Sequence, residues 1–373
     1  MVNSKVFRAI ATLVGTTIGA GIFAIPYVVS KIGFLPGFFY LLILGGVVLI
    51  LNLLYGEVIL RTPGDHQLTG YGEIYLGKLG KILGTFSLFI GLYGALLAYL
   101  IKVGEFLALI LPVADPLFFS LLFFILASTA VYFGLRAVSF LEGYFVVLLL
   151  ILIFLIAVLG GGKIDLANLF SADLSFIFLP YGVILFALTG SSVIPEMEEI
   201  LRSKHQSLKK AIIIGSLVPL FVYLLFAMVV VGICGGLTSD DAILGLVSLL
   251  PLWIVSLGAI LGVLTMGTSY LSLGFVLREV YFRDFKFPKF LSFSFALLPP
   301  LILFLGGAKS FIQVLEVTGS LMGGLTGILI ISLFVKAKRM GRRVPAYSLD
   351  LPVILIILLV LIFLFGMFSP FLS

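Results

Sequence analysis

Residues 15–26 read Gly-Thr-Thr-Ile-Gly-Ala-Gly-Ile-Phe-Ala-Ile-Pro, in the middle of an apolar run that extends over residues 6–29. The run is long enough to cross a bilayer as a helix, but its three glycines and Pro26 weaken a helix at its centre. Unpaired backbone at that depth is tolerated where it is buried in protein or lines a cavity. We therefore expect residues 15–23 to be unwound and to form a binding site for a small charged molecule.

The same residues have a second interpretation. Gly15 and Gly19 lie four residues apart, a spacing that lets membrane helices pack closely, and proline kinks are common in such helices. On this stretch alone, packing or kinking remains as good an explanation as a binding site.

The composition predicts an all-α polytopic membrane protein. Of the 373 residues, 62% are hydrophobic and 11% are charged, whereas about 25% are charged in typical soluble domains. The apolar runs are too long for barrel strands of about 10 residues. The single cysteine, Cys234, excludes an intrachain disulfide and a cysteine-based metal site.

About eleven spans can be drawn, at residues 6–30, 36–61, 82–112, 116–135, 141–162, 173–201, 208–235, 248–279, 288–306, 309–337 and 350–371. Lys102 lies within span three, and Lys31, Lys163 and Lys309 lie on one side. The other 19 of the 23 lysines and arginines lie on the opposite side. Because cytoplasmic loops are rich in these residues, we expect a cytoplasmic N-terminus, an extracellular C-terminus and a multi-pass location in the cell membrane. This distribution accounts for the net charge of +6 without a nucleic-acid partner.

Span six contains a matching interruption. Residues 186–196 read Phe-Ala-Leu-Thr-Gly-Ser-Ser-Val-Ile-Pro-Glu, so that Pro195 corresponds to Pro26 and Gly190 to Gly21. Corresponding interruptions in two halves of opposite direction indicate a transporter with inverted repeats and a binding site near the midplane. We expect one transporter domain over residues 1–373, with repeats at about 6–162 and 173–337 and an extra helix at 350–371.

Two broken helices provide opposite partial charges from the backbone alone. Free amides at Ala20, Gly21 and Ile22 suit a carboxylate. Free carbonyls near Thr17 in span one, and near Phe186 and Thr189 in span six, suit an ammonium group. This pairing predicts an α-amino acid as the ligand. No arginine or acid near the breaks indicates that the side chain of this ligand is charged.

Residues 15–26 closely resemble the first-helix signature of the amino acid–polyamine–organocation superfamily. Within it, the chain looks most like the amino acid/auxin permease and aromatic amino acid permease branches. Residues 56–63, Gly-Glu-Val-Ile-Leu-Arg-Thr-Pro, and 268–274, Thr-Ser-Tyr-Leu-Ser-Leu-Gly, support the resemblance. It covers nearly the whole chain and implies a LeuT-type fold, with a five-plus-five inverted repeat, discontinuous helices 1 and 6, and alternating access.

The resemblance also implies a substrate site. Ala20 and Gly21 would contact the carboxylate, and Phe186 would close over the substrate as an aromatic gate. The full set of candidate substrate-binding residues is Thr16, Thr17, Ala20, Gly21, Ile22, Tyr93, Leu97, Phe186, Thr189 and Gly190.

A sodium site is implied by the same resemblance, between carbonyls of span one and hydroxyls of span eight. The matching positions are Gly15, Ile18, Thr265, Thr268 and Ser269. Hydrogen bonding of the hydroxyls to their own helix is an equally good interpretation. A second sodium site in some relatives uses an asparagine where this chain has Ile22, so we do not expect that site. Some proton-coupled relatives replace the ion with a lysine in span five, and this chain has no lysine there.

Acids within the spans are candidates for gating or coupling. Glu316, in span ten, is the first candidate for a gate or proton carrier. Glu105 lies three residues from Lys102 and is placed to pair with it. Glu196 follows Pro195 and equally suits an ordinary helix start. Glu57 and Glu142 are expected to anchor helix ends near the interface. His66 and His205 are expected to be solvated loop residues.

The sequence thus predicts a secondary active transporter of neutral L-amino acids, with aromatic or hydrophobic side chains favoured by Tyr93, Leu97 and Phe186. Coupling to Na⁺ or H⁺ is expected, with no other cofactor. Alternatives on the same scaffold are an amino acid exchanger and a non-transporting sensor. An enzyme is not expected, because no cluster of catalytic or metal-binding side chains lies within the spans. The expected partners are the substrate and the lipid bilayer, and the oligomeric state stays open.

Overall fold

The computed structural model describes residues 4–133, 140–170 and 172–372, and every regular element in them is helical. The α-helices are α1 Ser4–Thr17, α2 Gly21–Ile32, α3 Phe34–Arg61, α4 Leu68–Ile110, α5 Pro116–Phe133, α6 Phe140–Gly160, α7 Ala167–Phe170, α8 Leu179–Leu188, α9 Ile194–Ile200, α10 Leu208–Cys234, α11 Leu252–Glu279, α12 Lys289–Leu305, α13 Phe311–Met340 and α14 Val353–Gly366.

Eight helices among the described residues are long and apolar enough to cross a membrane, and nine if the bent pair α1–α2 counts as one span. Two shorter apolar helical stretches lie where spans five and nine were predicted. They are Val147–Lys163, in α6 and the turn that follows it, and Lys289–Leu305, which is α12. Each predicted span therefore contains an apolar helix. The chain is a multi-pass membrane protein, and its spans one (α1–α2) and six (α8–α9) are interrupted as predicted.

The loop before span three contains a short helix. Residues 68–76 form the first part of α4, and Gly77 turns the chain at φ +66° and ψ −150°, outside the helical region. Gly72, before the turn, and Gly80, after it, are in backbone contact, and a Cβ on Gly72 would lie 2.5 Å from the Gly80 carbonyl oxygen. The turn depends on glycine for both its dihedral angles and this close approach.

Helix α13 is packed through a row of glycines. A Cβ on Gly319 would overlap the carbonyl of Gly182 in α8, and Gly323 and Gly327 face Leu185 and Phe363 in the same way. Their four-residue spacing puts them on one side of α13, so the α13 backbone packs closely against α8 through Gly319 and Gly323 and against α14 through Gly327.

Glu57 anchors the chain between α13 and α14, which agrees with the anchoring role expected for it. The carboxylate is fully buried and pairs with Arg61 at 2.7 Å. It also accepts from the Leu349 amide at 2.6 Å and the Ser348 hydroxyl at 3.1 Å. The side chain of Glu142 lies outside the described residues. We call the face of the bundle at Arg61 the basic side.

The glycine contact of α13 predicts the effect of two matched substitutions. Gly319→Ala should destabilise the protein by about 1–3 kcal/mol, because the new methyl group has no space beside Gly182. In Gly46→Ala the new Cβ meets nothing within 4 Å, so this variant should gain up to about 1 kcal/mol from helix propensity. Thermal unfolding in detergent measures both, and equal unfolding temperatures would contradict the packing.

Candidate functional site

The first break lies between α1 and α2, whose axes differ by 57°. Residues 18–20 connect them with tight local bonds, such as the Gly19 amide to the Thr17 carbonyl at 3.0 Å. Within the described residues, the amides of Ala20 and Gly21 donate to no backbone carbonyl. They lie at the start of α2, where the partial positive charge of the helix is concentrated. This end of α2 is therefore suited to receive a carboxylate.

The second break lies between α8 and α9. The Thr189 amide closes α8 by donating to the Phe186 carbonyl at 3.3 Å. Gly190 then leaves the helical path, Ser191–Val193 form one 3₁₀ turn, and α9 begins at Ile194. The last carbonyls of α8 lose the amide partners that a continuous helix would supply, and they become available as acceptors.

The two breaks are in direct contact. A Cβ on Gly21 would lie 2.5 Å from the Ala187 Cβ, and a Cβ on Gly190 would lie 2.5 Å from the Thr17 hydroxyl oxygen. Both distances are shorter than real Cβ atoms show. Gly21 and Gly190, which correspond in the two halves, are therefore the residues whose missing side chains let the breaks meet.

Two tyrosines that the sequence analysis did not single out reach the breaks. The Tyr223 hydroxyl, from α10, lies 2.7 Å from the Thr17 carbonyl oxygen and 3.0 Å from that of Ala187. The Tyr99 hydroxyl, from α4, would lie 3.8 Å from a Cβ on Gly19. The sequence marks each of them only as a tyrosine within an apolar span, and many tyrosines with a purely structural role show the same pattern.

The candidate substrate residues occupy different surroundings. Ala20, Gly21, Ile22, Leu97 and Gly190 are buried. Thr16 is exposed, while Phe186 and Thr189 are half-buried. Thr17 is also buried, and its hydroxyl donates to the Leu13 carbonyl at 2.8 Å.

Tyr93 lies in an aromatic cluster away from the contact between the breaks. Its hydroxyl lies 2.6 Å from the Tyr281 hydroxyl and donates to the Phe295 carbonyl at 2.7 Å. Phe89 packs beside it and stacks on Tyr281. None of these positions tests substrate contact, so the substrate-binding set stays a prediction.

The hydroxyls assigned to a sodium site bond to their own helix. Thr265 donates to the Leu261 carbonyl at 2.7 Å, and Thr268 lies 3.0 Å from the carbonyls of both Leu264 and Thr265. Ser269 is half-buried. In span one, Ile18 is buried and Gly15 is half-buried. The oxygens keep lone pairs that a cation can use, so the sodium site stays a prediction.

The pair predicted between Lys102 and Glu105 is present and belongs to a larger cluster. The Lys102 side chain is completely buried, and its ammonium also lies 3.0 Å from Asp240 and 3.5 Å from Asp241. It lies 5.0 Å from the centre of the Phe311 ring at the start of α13. The cluster therefore joins α4, the segment before α11, and α13 on the side opposite the basic side.

The other acids differ in environment. Glu316 is buried in α13, and Glu196 is exposed in the first turn of α9. Glu198, one residue beyond Met197, is buried and lies 3.1 Å from the Nδ1 of His205. His205 lies in a loop as expected, and its side chain is 38% exposed, so the contact with Glu198 adds a partner to a partly solvated histidine.

Two cavities bear on the site. One, of about 1,010 Å³, lies on the basic side and is lined by Asp65, Glu198, Arg202 and neighbouring loop residues. The other lies beside the second break, is lined by Asn52, Thr189 and Gly190 among others, and measures about 10 Å³. A cavity of that size holds about one water molecule, so an amino acid requires the space beside the breaks to enlarge.

The chain resembles known transporters over nearly its whole length. The family model described as the tryptophan/tyrosine permease family matches residues 2–369. The chain is 28% identical to tyrosine-specific transport system 1 of Haemophilus influenzae, over 96% of this chain and 94% of that protein. It is 24% identical to glutamine transporter 2 of Aliivibrio fischeri, over 64% of this chain and 63% of that protein.

Two solved structures share the fold. One is MHP1, a nucleobase-cation-symport-1 family transporter in a closed conformation with bromovinylhydantoin bound, with a TM-score of 0.63 at 13% identity, covering 98% of this chain and 90% of that one. The other is MhsT in complex with L-phenylalanine, with a TM-score of 0.61 at 18% identity, covering 99% of both chains. Both establish the LeuT-type fold.

The contact between the breaks predicts opposite outcomes for two neighbouring glycines. Gly21→Ala should push the breaks apart and destabilise the protein by about 1–3 kcal/mol, because the new methyl group overlaps Ala187. Gly19→Ala should be tolerated, since its nearest neighbour, the Tyr99 hydroxyl, is at an ordinary contact distance of 3.8 Å. Thermal unfolding in detergent compares them, and a Gly21→Ala protein as stable as Gly19→Ala would be evidence against the contact.

Proposed function

The chain belongs to the tryptophan/tyrosine permease family, and from that premise we propose that it is a secondary active transporter of neutral aromatic L-amino acids, with L-tyrosine as the first candidate. The relatives are named as transport systems, which supports a transporter rather than an enzyme. Tyrosine is favoured over other neutral amino acids by the family and by the relative named for tyrosine transport, which matches this chain over almost its full length.

The observation that carries this proposal is the contact between the two breaks. In this proposal the amides of Ala20 and Gly21, which donate to no backbone carbonyl among the described residues, would hold the carboxylate of an amino acid. The carbonyls of Thr17 and Ala187, which both lie near the Tyr223 hydroxyl, would accept from its ammonium. A backbone-only site of this kind is neutral overall, so it suits a zwitterion and leaves the side chain to apolar neighbours such as Leu97.

We further propose that the basic side faces the cytoplasm, as the distribution of lysine and arginine favours. In this orientation the Lys102 cluster closes the extracellular side, and the large cavity lined by Arg202 opens toward the cytoplasm. Transport would then alternate between this arrangement and one in which the Lys102 ion pairs separate. The protein would lie in the cell membrane.

Coupling to a cation drives accumulation in this proposal. Thr265, Thr268 and Ser269 would hold Na⁺ with carbonyls of Gly15 and Ile18. Glu316 and Glu105 are the buried and half-buried acids that would carry a proton if the coupling ion is H⁺.

Uptake into proteoliposomes tests the transport proposal. Radiolabelled L-tyrosine should accumulate above its external concentration under an inward Na⁺ gradient or an inward H⁺ gradient. Gly21→Val should abolish this uptake, because its side chain overlaps Ala187 at the proposed carboxylate site.

Failure to accumulate any neutral amino acid under either gradient would overturn the proposal. Uptake that needs no ion gradient and requires amino acid inside the vesicles would instead identify an exchanger.

The sodium assignment predicts the effect of a double substitution. Thr268→Ala with Ser269→Ala should remove the stimulation of uptake by Na⁺ while L-tyrosine binding is retained, because the changes take away ion ligands and leave the breaks intact. Thr129→Ala is the matched control, since the Thr129 hydroxyl bonds to its own helix in the same way, 2.7 Å from the Ile125 carbonyl. Full sodium stimulation in the double variant would exclude these residues as ligands.

A further inference from the structure

The Tyr223 side chain is completely buried and reaches the point where the two breaks meet. Its hydroxyl oxygen lies 2.7 Å from the Thr17 carbonyl oxygen and 3.0 Å from the Ala187 carbonyl oxygen. One carbonyl belongs to the end of α1 and the other to the last turn of α8. Tyr223 is therefore a side chain from a third helix that contacts one backbone carbonyl of each break at once.

The two carbonyls are not equally supplied with donors. The Thr17 carbonyl also accepts from the Gly19 amide at 3.0 Å, whereas the only bond shown for the Ala187 carbonyl, among the described residues, comes from Tyr223. A phenol has one proton and forms one full hydrogen bond at a time. The pair of carbonyls thus keeps more acceptor capacity than Tyr223 fills.

An ammonium group matches that remaining capacity. It has three N–H donors, it carries a positive charge, and charge-assisted hydrogen bonds are about twice as strong as neutral ones. Two carbonyl oxygens held at a fixed separation by one hydroxyl can share such a group, because each carbonyl oxygen has two lone pairs. The spacing that Tyr223 imposes on the carbonyls then sets how well an ammonium fits.

We propose that Tyr223 is a positioning residue that holds the carbonyls of Thr17 and Ala187 together as one acceptor for the substrate ammonium. This inference rests on the proposed function and adds the group that gives specificity for an α-amino acid over other carboxylates. Tyr223 acts through the two carbonyls. Its removal therefore weakens recognition of the ammonium and leaves recognition of the carboxylate at Ala20 and Gly21 unchanged.

The test compares three ligands on purified full-length protein, with binding measured by calorimetry in detergent. L-Tyrosine carries both charged groups, 3-(4-hydroxyphenyl)propionate lacks the ammonium, and tyramine lacks the carboxylate. In Tyr223→Phe, affinity for L-tyrosine and for tyramine should fall by about tenfold, the value of one good hydrogen bond. Affinity for 3-(4-hydroxyphenyl)propionate should stay the same.

Tyr181→Phe is the matched control. The Tyr181 hydroxyl also donates to a backbone carbonyl inside the bundle, that of Ile362 at 3.1 Å, but this bond lies away from the breaks. The control should leave the ratio of affinities for L-tyrosine and 3-(4-hydroxyphenyl)propionate at the wild-type value. Equal loss for all three ligands in Tyr223→Phe, or no loss for any, would overturn the positioning role.

Wild-type protein that binds none of the three ligands would overturn the proposed function itself, and this role with it. A second measurement covers the case in which Tyr223→Phe does not fold. With 3-fluorotyrosine incorporated at position 223, the ¹⁹F resonance should shift on addition of L-tyrosine and not on addition of 3-(4-hydroxyphenyl)propionate. Identical spectra with both ligands would also overturn the positioning role.

Discussion

The structure depends on one constraint, which is that backbone polar groups inside a bilayer must find partners within the protein. A continuous helix meets it by itself, and most of this chain does so. Residues 18–20 and 189–190 do not, and each leaves amides or carbonyls without their helical partners. The remaining helices are arranged so that these groups lie inside the bundle, where a ligand or a side chain can pair with them.

Glycine solves the packing problem that the breaks create. Gly21 and Gly190 let the two breaks touch, and Gly319 lets α13 press against the helix that leads into the second break. At each of these glycines the backbone touches a neighbouring segment of the protein, so there is no space for even the methyl group of alanine. The same residues that weaken the helices therefore allow the close packing that holds the broken segments in place. In the first stretch the close packing occurs at Gly21, whereas Gly19 makes only an ordinary contact of 3.8 Å with Tyr99, and the binding site stays a prediction.

Charge is also buried around Lys102, and there it is compensated. Lys102 is fully enclosed, which would be costly for an isolated ammonium, but carboxylates of Glu105, Asp240 and Asp241 surround it. Asp241 is itself held by the amides of Ile243 and Leu244. These ion pairs join segments that are far apart in the chain, so their separation would require several elements to move together. This linkage supports the proposal that the cluster closes one side of the transporter.

The sequence by itself determined the spans, the two interruptions and their correspondence, because hydrophobic length and the Gly/Pro pattern are local properties of the chain. It also anticipated the Lys102–Glu105 pair, since three residues of helix bring the two side chains together. It did not identify Tyr223 or Tyr99, the contact of Glu198 with His205, or Asp240 and Asp241 as partners of Lys102. These depend on side chains from distant helices meeting at one point. Only tertiary packing decides which buried tyrosine reaches a free carbonyl, because an apolar span offers the same local pattern for a structural tyrosine and for one at a site.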